Sequence, residues 1–317
     1  MPPERVVVVA DPIDKEALGR LKGGPCRVVD ASADPASLAA QLPDAWALIV
    51  RSRTKVTRDL LSHAPHLELV ARAGVGVDNV DLAATSARGI RVVNAPFAAT
   101  QSVAELTITF YLMLIRSLPG PIASTKGGEW KRGTHGHELS GKVVGFVGYG
   151  RIAREVARRL APFSARAIAF DPFVEQSGDA TEMVPLDTLL ERADIVSVHA
   201  ASTAENRHLL DARAFARMKP GAYLVNVARG VLVDEAALLA SLASGRLAGA
   251  ALDVFEVEPP MNKELLSNPN VIATPHLGAS THEAQARAGT DTVDEVLRAL
   301  RGEPLTALVA APGGAKA

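Results

Sequence analysis

The stretch from Lys142 to Pro172, KVVGFVGYGRIAREVARRLAPFSARAIAFDP, constrains the fold of this chain more than any other. An apolar run (Val143, Val144, Phe146, Val147) leads into Gly148-Tyr149-Gly150. Apolar residues then recur at helical spacing (Ile152, Val156, Leu160), and a second apolar run ends at Asp171. The order is strand, tight turn, helix, strand, which is what a dinucleotide phosphate site requires. Gly148 permits the sharp turn, and Gly150 lets a pyrophosphate approach the backbone. The helix that opens near Arg151 and Ile152 offers free N–H groups and the positive end of its dipole. Asp171 lies 23 residues past Gly148, close to the usual spacing of about 20. A carboxylate there accepts hydrogen bonds from both ribose hydroxyls and repels a 2′-phosphate, so the expected cofactor is NAD rather than NADP. Ala153 stands at the third glycine position, a replacement the fingerprint tolerates. Such a fingerprint alone also marks ordinary βα turns. The flanking strands and the placed aspartate carry the reading.

The same alternation extends over most of the chain. Apolar runs at Val6–Ala10, Ala47–Val50, Leu67–Val70 and Ile90–Val93 are separated by helical patterns such as Asp14–Leu21 and Pro35–Leu42. A second series comprises Val143–Val147, Ala167–Phe170, Ile195–Val198, Tyr223–Val227, Gly249–Leu252 and Val271–Ala273. Short strands at this spacing imply βαβ units and parallel sheets, and two series imply two doubly wound units. Between them the sequence predicts a long apolar helix from Thr100 to Leu118, stopped by Pro119-Gly120. After Thr281 it predicts one long helix, followed by a small-residue tail, AAPGGAKA, expected to be flexible. The glycine fingerprint opens the second series, so the dinucleotide domain is internal to the other unit. The boundaries read from the sequence are 1–97 with 283–317 for a substrate-binding domain, and 98–282 for the dinucleotide domain. The first unit has no phosphate loop and is expected to supply the substrate half of a cleft.

Composition excludes several classes. The 317 residues suggest roughly two domains, and 48% of them are hydrophobic, enough for packed cores. A net charge of −1 lacks the basic surplus of a nucleic-acid protein. The single cysteine, Cys26, rules out a disulfide framework or a cysteine-built metal site and fits a reducing cytoplasm. Val6–Ala10 is closed by Asp11-Pro12 and reads as a strand rather than a signal peptide. Val103–Ile115 carries Glu105 and is too short to span a bilayer. No metal, nucleic-acid or membrane partner is expected.

Three charged groups follow strands of the second series. Arg229 follows YLVNVA, Glu258 follows LDVFEV, and His276 follows VIATP. In open α/β sheets ligands bind beyond the carboxyl ends of the strands, which brings the three together. They suit hydride transfer on a 2-hydroxy acid. A histidine takes the alcohol proton as hydride leaves and returns it in the reverse direction. A carboxylate fixes the ring and favours its protonated form. The arginine fork grips the substrate carboxylate. Each alone also reads as an ordinary loop residue; next to a dinucleotide site, the set points to catalysis.

The segments VARAGVGVDNVDLAAT, GFVGYGRIAREVA, NVARGVLVDEAAL, GAALDVFEVEPP and TPHLGAST resemble those of the D-isomer-specific 2-hydroxyacid dehydrogenases, and the resemblance runs from about Val6 to Leu300. It implies an α/β fold of two doubly wound parallel-sheet domains, with a Rossmann-type NAD domain inserted into a flavodoxin-like substrate domain. It implies an NAD-dependent dehydrogenase with Arg229, Glu258 and His276 as the catalytic set. Further cofactor contacts carry over to Arg151, Ile152, Val227, Asp253 and Ala279. The glycine-rich loop Ala73-Gly74-Val75-Gly76 matches the one whose N–H groups hold the substrate carboxylate in the family. Some members carry further C-terminal domains that bind serine, and the sequence resembles either the short, unregulated form or a piece cut before such domains. One departure is the segment VHAASTAENRHLL, where Ala200-Ala201 replaces the family's usual proline on the nicotinamide side.

Arg51, Arg53 and Lys55 alternate just past a strand of the first unit. In an extended segment all three point to one side, and three cations suit a doubly anionic substrate carrying a phosphate. The expected partner is therefore a small phosphorylated 2-hydroxy acid, bound by Arg51, Arg53, Val75, Gly76 and Arg229. Competing readings are a reductase of small unphosphorylated 2-keto acids and a non-catalytic NAD-sensing protein. The helix is more apolar than a surface helix, and the resemblance implies a homodimer packed through this region, with Trp130-Lys131-Arg132 adding a cation across its interface.

Overall fold

The computed structural model describes residues 4–133 and 135–310. The tail expected to be flexible falls, from residue 311 onward, outside the described residues. The chain divides into two compact units, Met1–Ala99 with Ala279–Ala317, and Thr100–Gly278.

The first unit carries β1 (Val6–Val9), β2 (Arg27–Asp30), β3 (Ala45–Val50), β4 (Leu69–Arg72) and β5 (Arg91–Asn94). They form one sheet in the order β2-β1-β3-β4-β5, with every pairing parallel. That is the flavodoxin-like order. The apolar runs are continuous because both faces of the sheet are covered. Val7, Val9, Ile49, Leu69, Ala71 and Val93 face one layer, with Leu21 and the Val293, Val296 and Leu297 stripe of helix His282–Arg301. The alternate residues Val6, Val8, Leu48, Val50, Val70 and Val92 pack on the other face with Leu61 and Ala84. Thus the last long helix completes the first unit.

The second unit carries β6 (Val143–Val147), β7 (Arg166–Phe170), β8 (Glu182–Met183), β9 (Ile195–Val198), β10 (Ala222–Asn226), β11 (Leu247–Leu252) and β12 (Val271–Ala273). The order is β12-β11-β10-β9-β6-β7-β8. Counted from β6, this is the Rossmann arrangement with one strand added at its edge. The chain reverses direction across the sheet between β6 and β9, and the carboxyl ends there form the crevice in which such folds bind ligands. Gly145 in β6 lets helix Leu186–Arg192 sit close: a Cβ there would lie 2.7 Å from Cδ2 of Leu189 and 2.9 Å from Cβ of Ala193.

Some elements differ from expectation. β2 and β8 were not read from the sequence, because both are edge strands. β2 has only two apolar residues between charged ends, and β8 is a single Glu-Met pair. Helix Thr100–Ile115 ends before the proline, at Ser117 with φ 51°. Pro119 then opens a second helix, Pro119–Lys126; a proline at the first helical position forfeits no bond. The Pro35–Leu42 pattern is broken into 3-10 and α turns, Pro35–Ser37, Leu38–Gln41 and Leu42–Asp44. Among the described residues no single helix is long and apolar enough to cross a membrane.

Replacing Gly145 by valine forces a Cβ and two methyl groups against Leu189 and Ala193. Urea unfolding of Gly145→Val is expected to show a loss of about 1–3 kcal/mol; unchanged stability would mean that the helix relaxes away from β6.

Candidate active site

The ends of β6 and β7 build a nucleotide cradle. Gly148 has φ +88°, and a Cβ there would lie 2.5 Å from the Ala200 nitrogen and 2.6 Å from its Cα. Glycine is therefore required both by backbone conformation and by the close approach of the chain after β9. That stretch holds its course without the family's proline: Thr203 N–H donates to Asn206 Oδ1 at 2.7 Å, and Asn206 Nδ2 donates to the Ala201 carbonyl at 2.8 Å. Gly150 precedes helix Arg151–Leu160, which has no side-chain cap at its N-terminus. A Cβ on Gly150 would meet nothing within 4 Å. Open space thus lies over the first helical N–H groups, those of Arg151 and Ile152, as a pyrophosphate needs. Ala153 is fully buried beneath this turn. Asp171 ends β7 and is held at the glycine turn, with Oδ2 accepting from Tyr149 N–H at 2.8 Å and Oδ1 from Phe173 N–H at 2.9 Å. Each oxygen keeps a lone pair for a ribose hydroxyl. These residues fit a bound dinucleotide.

The ends of β10, β11 and β12 present the charged set. Asn226 is buried at the end of β10. Its Oδ1 accepts from Ala228 N–H at 3.0 Å and its Nδ2 donates to the Arg229 carbonyl at 2.9 Å, folding Val227–Arg229 into a turn. The Arg229 guanidinium donates through Nη1 to the Ala228 carbonyl at 2.7 Å. Gly230 follows with no room for a side chain: a Cβ would lie 1.8 Å from the Phe255 carbonyl carbon. The turn after Arg229 therefore rests directly on the backbone that leads to Glu258.

Asp253, 1% exposed, directs the third member. Its N–H donates to the Asn226 carbonyl at 3.0 Å. Its carboxylate accepts from Thr274 Oγ1 at 2.6 Å, Leu277 N–H at 2.7 Å and Gly278 N–H at 2.8 Å. These bonds hold the loop that carries His276, whose φ is 54°. A non-glycine residue in this region is uncommon and needs such support. His276 Nδ1 and Glu258 Oε2 are 2.9 Å apart, and Glu258 Oε1 accepts from Phe255 N–H at 3.2 Å. Because the carboxylate accepts, Nδ1 carries a proton, and Nε2 is the atom that exchanges one. The pair is partly exposed.

A further group of acids lies outside the expected set. Glu256 N–H donates to Glu235 Oε1 at 2.7 Å, and Glu235 N–H donates to Glu256 Oε1 at 3.2 Å. The two side chains thus cap each other's backbone and tie the segment after Arg229 to the segment before Glu258. His208 Nε2 and Arg207 reach the other Glu256 oxygen at 2.8 and 2.9 Å. Burial pushes the Glu256 carboxyl up, but the His208 and Glu235 bonds outweigh it and hold the carboxyl below its usual range. The available sequence signal was the acid in the first turn of helix Glu235–Ala243, a position that favours carboxylates.

In the first unit Asp11, 1% exposed, opens the loop after β1. It accepts from Arg51 N–H at 2.6 Å, Thr54 N–H at 3.1 Å, Thr54 Oγ1 at 2.6 Å and Arg53 Nε at 3.1 Å. Burial pushes its carboxyl up; the bonds from Thr54, Arg51 and Arg53 win and keep it low. The expectation of an extended segment with three aligned cations is corrected here. Residues 52–54 are bends, and Arg53 turns to Asp11 and to the Ala10 and Ser32 carbonyls, 2.7 and 2.9 Å. Arg51 differs: its Nη1 donates to the Pro12 carbonyl at 3.2 Å, and burial, against the pull of Asp11, lowers its pKa. Asn79 Nδ2 donates to the Arg51 and Thr54 carbonyls, both at 2.7 Å, bringing this bend beside the Ala73–Gly76 loop. Asn94 Nδ2 donates to the Val75 carbonyl at 2.6 Å, which fixes Val75 and Gly76. Ala279 falls in the first unit, where its carbonyl accepts from Gln285 Nε2 at 2.8 Å.

The family model of the D-isomer specific 2-hydroxyacid dehydrogenase NAD binding domain matches residues 108–278. The chain is 46% identical over 314 residues to D-3-phosphoglycerate dehydrogenase of Mycobacterium tuberculosis, covering 98% of this chain and 59% of that protein. It is 41% identical over 299 residues to hydroxypyruvate reductase of Thermotoga maritima, covering 93% of this chain and 98% of that protein. The crystal structure of an NADPH-dependent glyoxylate/hydroxypyruvate reductase from Sinorhizobium meliloti, in complex with citrate, superposes with a TM-score of 0.89 at 31% identity, covering 98% and 99% of the two chains. The chain thus spans 59% of the length of the phosphoglycerate dehydrogenase it matches. It belongs to the D-isomer-specific 2-hydroxyacid dehydrogenase family, and residues 108–278 are its NAD-binding domain.

Proposed function

We propose that this chain oxidises D-3-phosphoglycerate to 3-phosphohydroxypyruvate with NAD, the first step of serine synthesis, in the cytoplasm and as a homodimer. The observation that carries the substrate is Arg51. Arg53 is used up on Asp11, whereas Arg51 is a half-buried guanidinium with no carboxylate in ion-pair distance among the described residues. A desolvated cation of this kind gains most from a dianionic phosphate. The identity to phosphoglycerate dehydrogenases supports the same reading, and unpaired Cys26 suits a reducing compartment.

The chemistry follows from the His276–Glu258 pair. When bound, NAD supplies the hydride acceptor. Nε2 of His276 takes the proton of the substrate 2-hydroxyl as C2 is oxidised and returns it in the reverse reaction. Glu258 at Nδ1 keeps the ring oriented and stabilises the imidazolium that forms. The Arg229 fork and the Val75-Gly76 backbone hold the substrate carboxylate, and Asp171 selects the cofactor lacking a 2′-phosphate.

A second reading, reduction of hydroxypyruvate, is favoured by one observation: the Thermotoga maritima hydroxypyruvate reductase is matched over 98% of its length. A substrate panel followed by NADH absorbance separates the two. The expected kcat/KM for 3-phosphohydroxypyruvate far exceeds those for hydroxypyruvate, pyruvate and glyoxylate. Arg51→Ala is expected to penalise the phosphorylated substrate by roughly 2–5 kcal/mol, the cost of leaving one member of a buried charge pair alone, and the others much less. Equal reaction of the unphosphorylated acids, or an equal penalty on all substrates, would select the second reading.

The proton-transfer roles have their own test. His276→Ala is expected to lower kcat by about 10²–10⁴-fold while NADH still binds. Glu258→Gln loses a charge-assisted bond and is expected to lower kcat by roughly 10–100-fold. Full turnover in either variant would remove that residue from the mechanism.

The dimer rests on helix Thr100–Ile115, apolar on nearly all sides, and on Ile122 and Trp130, which are 44% and 77% exposed beyond it. Light scattering at micromolar concentration is expected to give twice the 33.2 kDa chain mass. A species of the single chain mass would contradict the dimer.

A further inference from the structure

The residue between the two fingerprint glycines has no part in the roles assigned so far. Tyr149 is fully buried, and it bonds to both ends of the loop joining β7 to β8. Its backbone N–H donates to Asp171 Oδ2 at 2.8 Å, where the loop begins. Its hydroxyl donates to the Asp179 carboxylate at 2.8 and 3.0 Å and lies 2.6 Å from Thr181 Oγ1, where the loop ends. That far end is closed on itself. Thr181 N–H donates to Asp179 Oδ1 at 2.8 Å, and Ser177 Oγ donates to the Asp179 carbonyl at 3.0 Å. From helix Arg151–Leu160, the Arg154 guanidinium lies 4.7 Å from the centre of the Tyr149 ring and 3.9 Å from Asp179 Oδ2, and it donates to the Ser177 carbonyl.

A residue in a phosphate-binding turn needs only its backbone. Nothing in that role calls for a phenol, still less for a buried phenol with a dedicated carboxylate. Burial pushes the Tyr149 hydroxyl up to about 12, with the Thr181 bond working against the rise and Asp179 adding to it. It therefore remains a proton donor at neutral pH, and the Asp179 carboxylate remains its acceptor. We propose that Tyr149, acting through Asp179 and Thr181, is the positioning residue for Asp171. It clamps the loop 171–181 so that the cofactor-selecting carboxylate keeps one orientation. Asp171 is steadied by two backbone N–H groups, one from Tyr149 itself and one from Phe173 inside the loop. Releasing the far end of the loop loosens the Phe173 support. A carboxylate that wanders binds ribose hydroxyls less well and repels a 2′-phosphate less strongly.

Tyr149→Phe tests this, because it keeps the ring, its packing and the backbone N–H and removes one oxygen. NADH and NADPH dissociation constants would be measured by fluorescence titration of the full chain, with Tm recorded alongside and Asp171→Ala as the reference for a lost carboxylate. The expected result is a rise of about tenfold in the Kd for NADH, a much smaller change for NADPH, and hence a narrowed preference. Asp179→Ala should move the preference in the same direction, and Asp179→Asn, which retains an acceptor oxygen, should do so less. A lowered Tm with unchanged NADH affinity and unchanged preference would overturn the proposal and leave the hydroxyl a purely structural bond. If Tyr149→Phe does not fold, Thr181→Val decides by the same two outcomes. Binding of the reduced cofactor needs no hydroxy acid, so failure here leaves the substrate reading standing, and failure of the substrate reading leaves this one.

Discussion

A buried carboxylate with three donors organises the strand ends that carry Arg229 and His276. An isolated charge at the depth of Asp253 would be strongly unfavourable, and two backbone N–H groups and one hydroxyl offset that cost. The same bonds dictate the path of the chain after β12. His276 sits in a left-handed conformation that a histidine rarely adopts, and the loop around it has no sheet or helix to hold it. Because the Asp253 N–H is itself bonded to Asn226, the ends of β10, β11 and the loop after β12 form one connected piece. That piece fixes the turns that carry Arg229 and His276, and Glu258 meets His276 at 2.9 Å.

The first unit uses the same device with a different acid. Asp11 stands at the end of β1 as Asp253 stands at the end of β11, and it gathers the bend that carries Arg51 by four bonds. In both places a parallel strand delivers a short acidic side chain to the sheet's carboxyl edge, where loop N–H groups lack partners. A short carboxylate satisfies several of them at once with little side-chain entropy to lose. Longer acids do similar work where the gap is wider, as in the reciprocal Glu235–Glu256 pair. Most of the ion pairs on the outer surface, such as Arg192–Glu182 or Arg301–Glu303, contribute much less because water screens them.

What was legible in the sequence follows from this construction. Strands buried on both faces read as unbroken apolar runs, so most of β1 to β12 could be placed, and glycines forced by backbone contact marked the turn at Gly148. Arg229, Glu258 and His276 stood out only as a set, because an arginine, a carboxylate and a histidine after three strands of the unit that carries the glycine turn suit hydride transfer on a hydroxy acid. Edge strands β2 and β8 escaped because half-covered strands need not be apolar. The direction of a long side chain escaped as well. Arg51 and Arg53 are alike in sequence, and only the position of Asp11, some forty residues earlier in the chain, turns the Arg53 guanidinium to a carboxylate and the Arg51 guanidinium to the Pro12 carbonyl. Pro119 was read as a stop, although proline at the start of a helix is equally well suited. The two meanings differ only in where the preceding helix has already ended.

The division between structure and chemistry explains why the Glu258–His276 pair is partly exposed while its supports are buried or half-buried. An exposed ion pair adds little to stability, so this one has no structural reason to exist at 2.9 Å. Its geometry is imposed from below: Phe255 N–H holds one Glu258 oxygen, the Glu235–Glu256 pair holds the segment around it, and Asp253 holds the histidine. A proton-transfer group must meet solvent or substrate, so it cannot be fixed by burial of its own atoms. The pair is fixed instead by neighbours, buried Asp253 on the histidine side and the half-buried Glu235–Glu256 pair on the glutamate side. The same construction recurs at the other end of the sheet, where Asp171 follows β7 and accepts from the backbone N–H groups of buried Tyr149 and of Phe173.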